Sequence, residues 1–284
     1  MSLIKYKIKN LIRNKIAANI PLQWRTGFGY QAKSRFLSRA YEWDYSKVRA
    51  WQFNKLKRIL IYAYKNVNGY HQLFNEAKVN PYKIRSLEEF TLYPFTTKNL
   101  IRDNLKEFTA NSRSKFRMDY VTTSGSTGIP FGFFQNKFSD QTEMAFMHLG
   151  WQSIGWKSGK SSAILRGGFT GNIKNFYQYD AYRRELYLSS YYLTRDNIME
   201  YIAILNKYKP ECLQAYPSVI ELFSNYVIEK KLIGKINFSI ILLGSERILP
   251  SQIKSIEMAF PKAVIFGWYG QTEQVILAKW SKDK

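Results

Sequence analysis

The chain has 284 residues, 45% hydrophobic and 17% aromatic, which is enough apolar content for a sizeable core and too much for a disordered chain. Its single cysteine, Cys212, excludes an intramolecular disulfide framework, and with His71 and His148 the only histidines there is no Cys/His set for structural zinc. The net charge of +22 is uneven, since residues 1–115 carry 23 Lys and Arg against 7 Asp and Glu while residues 116–284 carry 20 against 14.

In chain order, the opening MSLIKYKIKNLIRNKIAANIP sets Leu3/Ile4, Ile8, Leu11/Ile12 and Ile16 at helical spacing among Lys5, Lys9, Arg13 and Lys15. A basic amphipathic helix of this kind lies on an anionic membrane surface or docks on its own domain. An anionic membrane reached through residues 1–20 is therefore one expected partner. The longest aliphatic run near a strand, Ile240 to Leu243, is too short to cross a bilayer, and the N-terminus lacks the apolar core of a signal peptide. The expected location is cytoplasmic, with the inner face of the membrane as the place of any peripheral contact. No RNP, zinc-finger or helix-turn-helix pattern accompanies the basic residues, so no specific nucleic acid is expected.

Val48, Trp51, Gln52, Leu56, Ile59/Leu60 and Ala63 follow the 3.6 period of a helix, and Ser86 with Glu89 forms a capping box before a short helix. Residues 1–115 thus read as a basic helical region. From Phe116 the pattern changes to FRMDYV and FGFFQN as strands, SDQTEMAFMHLGWQSIG as a helix starting at Ser139, and SSAILRG as a further strand. A helix near Asp196–Lys207, another from Pro217 to Lys231, the buried strand FSIILLG, the helix SQIKSIEMAF and the strand AVIFGWYG follow. That alternation predicts an α/β fold with a largely parallel sheet over residues 116–284.

Three stretches carry chemistry. TTSGSTGIP, Thr122 to Pro130, can curl its backbone N–H groups into one concavity, with the hydroxyls of Thr122, Thr123, Ser124, Ser126 and Thr127 as further donors and Gly125 and Gly128 permitting the turn. That is either an anion nest or an ordinary Ser/Gly hairpin loop. It is not a Walker loop, because no Gly-Lys pair follows and Pro130 opens a strand. LLGSE, Leu242 to Glu246, and WYGQTE, Trp268 to Glu273, each place small residues and a carboxylate directly after a strand, at the edge where open α/β sheets bind ligands. There Gly270 lets a ligand approach the backbone, Tyr269 offers a flat face for a purine, Thr272 a hydroxyl for a phosphate oxygen and Glu273 a hard oxygen for Mg2+.

These motifs resemble those of the adenylate-forming acyl-ligase superfamily, TTSGSTGIP its phosphate loop and YGQTE its Tyr-Gly-x-Thr-Glu motif. The segment Tyr64 to Asn104, with PFTTK at Pro94–Lys98, is similar to the helical entry of the phenylacetate-CoA ligase family, and AYPSVIELF and GSERILPSQIKSIEMAFPKAVIFGWYGQTE suit its capsular polysaccharide (CapK-like) branch. The resemblance runs from about residue 50 to the end. It implies the N-terminal domain of that fold, layered α/β sheets with flanking helices, and ATP-dependent activation of a carboxylic acid as an acyl adenylate for transfer to a thiol, coenzyme A among them, or to another acceptor such as a sugar.

Position by position, the resemblance implies that Ser124, Gly125, Ser126, Thr127 and Gly128 cradle the β/γ phosphates. Gly244, Ser245, Glu246 and Tyr269 would border adenine, Thr272 would touch the α-phosphate and Glu273 would hold Mg2+. Tyr216, Pro217 and Ser218 line the acyl pocket in this reading or simply start a helix, and Arg166 is a charge near the cleft or a surface salt-bridge partner. Two departures stand out. Phe131 follows Pro130 where many relatives place lysine, and only 11 residues follow Glu273, so the ribose-binding aspartate, the hinge and the domain with the adenylation lysine are expected to be missing from this chain. Two alternatives stay beside the enzyme reading, a non-catalytic scaffold of the same fold and a basic peripheral module.

Overall fold

In the computed structural model the described residues are 20, 27–111, 118–123, 130–136, 138–167 and 176–280. The expected N-terminal amphipathic helix and the loop residues Ser124 to Gly128 lie outside them. The chain divides into two compact units, Lys33–Thr142 and Met1–Ala32 with Glu143–Lys284. No helix among the described residues is long and apolar enough to cross a membrane.

The unit Lys33–Thr142 contains the later part of α1 (Gly27–Ala40), then α2 (Tyr45–Asn66), α3 (Asn68–Glu76) and α4 (Lys98–Asp103). Asp44 starts α2 by accepting from the Lys47 amide at 2.8 Å, satisfying one of the amides a helix start leaves open. The apolar stripe seen in the sequence is present but divides its work. Leu60 joins Phe74, Ile84 and Tyr93 in a small core that Phe53 and Leu56 flank, whereas Trp51 packs with Phe36 and Trp43. At the expected capping box Ser86 Oγ accepts from the Glu89 amide at 3.4 Å, and Glu89 reaches back to the amide of Arg85 at 2.8 Å. The element it starts is a single 3-10 turn, Glu88–Leu92, because Pro94 follows two residues later. The PFTTK segment is likewise a helix start, with Thr97 Oγ1 accepting from the Leu100 amide at 3.1 Å.

Strands β1 (Met118–Thr122) and β2 (Gly132–Asn136) close this unit as an antiparallel pair, with Thr122 opposite Gly132 and Met118 opposite Asn136.

The other unit is built on a seven-stranded sheet. Its strands are β3 (Ser162–Arg166), β4 (Tyr177–Asp180), β5 (Glu185–Ser189), β6 (Cys212–Ala215), β7 (Ile240–Leu243), β8 (Val264–Gly270) and β9 (Leu277–Lys279). They lie in the order β4-β5-β3-β6-β7-β8-β9. The five inner strands are parallel, and β4 and β9 pair antiparallel to the two ends of that block. Helices α5 (Ser139–Gln152, its later part in this unit), α6 (Ile198–Tyr208), α7 (Pro217–Glu229) and α8 (Pro250–Ala259) cover the faces.

Both faces are filled. On one, Leu165, Leu213, Ala215, Ile241 and Leu243 meet Ile202 and Leu205 of α6, Ile220 and Phe223 of α7 and Ile253 and Ile256 of α8. On the other, Cys212, Ile240, Leu242 and Phe266 meet Trp151 and Trp156. Alternate residues of β7 therefore enter opposite cores, as the period of two requires, and the run Ile240–Leu243 is apolar throughout because neither face sees water. Cys212 is wholly buried here, and burial pushes its thiol up to about 11, which leaves it inert.

His148 on α5 sits in an aromatic nest. Its Nδ1 is 2.7 Å from the Tyr30 hydroxyl and its ring is 4.3 Å from that of Trp156. Burial pushes its imidazole down to about 4, so it is neutral at pH 7.

Two outcomes follow for stability. Phe223→Ala, at a fully buried position between α7 and the sheet, should cost about 3–5 kcal/mol in urea unfolding. Because the folded pKa of His148 lies below its unfolded value of 6.5, its contribution is complete above that value and is lost as pH falls towards 4. Stability should therefore drop by about 3 kcal/mol between pH 7 and pH 4 from this residue, and a His148→Phe variant should lack that part of the pH dependence.

Candidate functional site

Where the sheet is buried on both faces, as at β7, no polar side chain lies along the strand, and polar chemistry collects beyond its ends. After β3 the chain runs to β5 on one side and then crosses to β6 on the other, so the connections leaving β3 and β6 diverge. A crevice opens at such a switch point, at the carboxyl ends of the strands. Here it is lined by Arg166 at the end of β3, by Gln214, Ala215 and Tyr216 at the end of β6, by Gly244 and Ser245 after β7, and by Trp268 of β8.

Gly244 is needed for shape. A Cβ at this position would stand 2.7 Å from the ring carbons of Trp268, so the indole can lie over the end of β7 only if residue 244 has no side chain. Ser245 then turns the chain with φ +69, a left-handed conformation uncommon for a residue with a side chain. That turn brings Glu246 to the start of α7, where its carboxylate accepts from the Ser218 amide and from Ser218 Oγ, both at 3.0 Å. Pro217, in the first turn of α7, has no amide to satisfy. Two residue sets from different parts of the sequence, Tyr216–Ser218 and Gly244–Glu246, are thus joined, and Glu246 serves as the anion at a helix N-terminus.

Beyond β7, Tyr269 and Gly270 complete β8 and pair with Ala278 and Leu277 of β9. The Gln274 amide donates to the Gln271 carbonyl at 3.0 Å, which puts Thr272 and Glu273 at the two central positions of the tight turn between these strands. Tyr269 is 61% exposed. At Gly270 a Cβ would meet nothing nearer than 3.6 Å, so packing leaves room there. Among the described residues no three His, Cys, Asp or Glu side chains are grouped as a metal cage. A divalent cation at this edge would rest on Glu273 and on oxygens of a bound ligand, the usual arrangement for Mg2+ with phosphates.

Arg166 is exposed at the crevice and has no carboxylate partner among the described residues, so the surface salt bridge weighed for it is not formed there. Trp268 and Gln214 were not singled out by sequence reasoning. Trp268 carried a signal, a bulky ring two positions before Gly270 in a strand that follows the small pair Gly244 and Ser245. Gln214 carried none.

In the other unit Thr123 closes the base of the TTSGSTGIP loop. Its amide donates to the Phe131 carbonyl at 2.9 Å, and its Oγ1 accepts from the Phe131 amide at 3.3 Å. Phe131, which stands where a lysine was expected, is only 7% exposed and packs against the ring of Phe133. Its side chain belongs to the hairpin's packing.

The chain is 24% identical over 215 residues to protein CapK of Staphylococcus aureus, a match covering 74% of this chain and 47% of that protein. It is 29% identical over 177 residues to a phenylacetate-coenzyme A ligase of Thermus thermophilus, covering 61% of this chain and 38% of that one. The chain therefore spans less than half the length of these relatives. Among solved structures, 2-hydroxyisobutyryl-CoA ligase in the postadenylation state superimposes with a TM-score of 0.60 over 83% of this chain and 52% of that chain, at 15% identity, a likeness of fold. No protein-family model matches the chain.

Gly244→Ala should expel Trp268 from its place, lowering stability by about 1–3 kcal/mol and shifting tryptophan emission. Glu246→Ala and Ser218→Ala should each cost about 1 kcal/mol in thermal unfolding, and the double variant less than their sum, because the two share one pair of hydrogen bonds.

Proposed function

We infer that the chain is a member of the phenylacetate-CoA ligase-like family of adenylate-forming enzymes and forms the nucleotide-binding part of a protein that activates a carboxylic acid as an acyl adenylate and passes the acyl group to a thiol, coenzyme A being the class supported by the relatives' names. In that reaction the carboxylate oxygen attacks the α-phosphorus of ATP, the α–β bridging P–O bond breaks and pyrophosphate leaves. The acyl carbon is then open to attack by the thiol, with AMP leaving.

The observation that carries this reading is the set of strand-end residues around a shallow crevice, about 20 Å³, at the switch point of the sheet. Gly244, Ser245 and Tyr216 line it, while Tyr269 and Gly270 end the neighbouring strand β8 and Thr272 and Glu273 occupy the turn after it. The residues suit a nucleotide: an exposed aromatic face at Tyr269, room at Gly270, a hydroxyl at Thr272 and a carboxylate at Glu273. When bound, Mg2+ would neutralise phosphate charge beside Glu273. Arg166 supplies a cation at the same edge for a phosphate or for the substrate carboxylate. The loop Ser124–Gly128 is assigned the β/γ phosphates on its sequence. Tyr216 and Ser218 border the acyl group, with Glu246 holding Ser218 in place.

The resemblance of AYPSVIELF and GSERILPSQIKSIEMAFPKAVIFGWYGQTE to the capsular polysaccharide branch supports a place for the product in surface or capsular polysaccharide assembly, where a sugar would be a further acceptor, and the basic residues 1–20 support contact with the anionic inner face of the membrane.

The test is exchange of labelled pyrophosphate into ATP by the protein as the cell makes it, across a panel of carboxylic acids. At least one acid should stimulate exchange. Glu273→Gln should lower that rate about a hundredfold or more, and Arg166→Gln should weaken nucleotide or acid binding. Exchange stimulated by no acid in a broad panel, or unchanged by Glu273→Gln, would remove the reading.

A further inference from the structure

At the opposite edge of the same sheet, where β3, β6, β7 and β8 begin, a cavity of 580 Å³ opens to solvent. Its lining comes from the segments that lead into those strands, Lys160 before β3, Lys209 and Pro210 before β6, Lys235 to Ser239 before β7 and Lys262 before β8. The floor is apolar, formed by the buried side chains of Leu205, Ile236 and Phe238. Asn206, Asn237 and Ser239 stand exposed around it.

Four lysines line this cavity against one carboxylate, Glu211, which lies 3.1 Å from Lys160 Nζ. Lys209, Lys235 and Lys262 have no carboxylate partner among the described residues and are exposed. Helix ends account for only part of this charge. Lys209 caps α6, whose final carbonyls attract a cation, but α7 ends at Glu229 and α8 at Ala259, six and three residues before Lys235 and Lys262. The pull of a helix terminus is spent within its last turn. What remains is a set of like charges around one concavity, which repel one another until an anion enters.

We propose that this cavity is a second ligand site, taking a small molecule that carries a diphosphate on an apolar or ring-shaped body. Ammonium groups are compact point charges suited to phosphate oxygens, and the net formal charge of +3 on the lining offsets the charge of about −3 on a diphosphate monoester near pH 7. The volume falls in the range of small-molecule sites, and an apolar floor with a few convergent polar groups is their usual make-up. None of the crevice residues lines this cavity, so the site stands independently of the acyl-activation reading.

The experiment is a titration of the full chain with inorganic pyrophosphate, without nucleotide or acid, followed by amide NMR. The amides of Asn206, Lys209 and Asn237 should shift saturably, and raised salt should weaken the binding. In the Lys235→Gln/Lys262→Gln variant the affinity read at these amides should fall about tenfold or more, while any shifts at Gly244 and Ser245 stay as they were. Lys235→Gln alone gives the same readout should the double variant not fold. Shifts confined to the crevice amides, shifts that never saturate, or unchanged affinity in the folded variants would overturn the proposal, and a loss of melting temperature without a change in affinity would assign the lysines to stability alone.

Discussion

Burial of β7 on both faces is the constraint on which the rest of this structure depends. Ile240 and Leu242 enter one core and Ile241 and Leu243 the other, so helices must cover both sides, and a strand so enclosed has no place for a polar side chain along its length. Chemistry is pushed to the two edges of the sheet. At the carboxyl edge this produces the crevice with Arg166, Gly244 and Trp268, and at the amino edge the lysine-lined cavity.

The same constraint explains what could be read from the sequence. A continuous apolar run as short as FSIILLG, rich in isoleucine, bounded by a glycine and followed by a helix, is consistent with a strand buried on both faces, and the alternation of such runs with amphipathic segments points to the α/β class. Motifs at the strand ends were legible for the same reason, because small residues directly after a buried strand mark its exit. The α/β class and the resemblance to phenylacetate-CoA ligases agree with the sheet and with the relatives found.

What was not legible depends on pairing across distance. That Trp268 lies over Gly244, and that Glu246 reaches Ser218, are consequences of β7 standing between β6 and β8, and no local pattern encodes strand order. The short helix expected after Ser86 is a 3-10 turn because Pro94 stops the chain from continuing, a stop signal the sequence itself carries. Phe131 is another case. Read as a missing cation, it is in the structure a packed aromatic whose amide and carbonyl both bond Thr123, so one residue type serves the hairpin's stability at the mouth of a loop assigned to a ligand.

The antiparallel strands β4 and β9 at the two flanks of the sheet bear on a different property. A block of five parallel, apolar strands would offer its outermost members as templates for another chain, the route by which β-proteins polymerise. Here β4 is four residues long and β9 three, and each runs against the direction of its neighbour. A foreign strand adding to either flank meets a short ladder, with Asp180 in one and Lys279 in the other. Short edge strands of this kind shorten the ladder that strand addition needs, so the two small hairpins act as blunt ends to the described sheet.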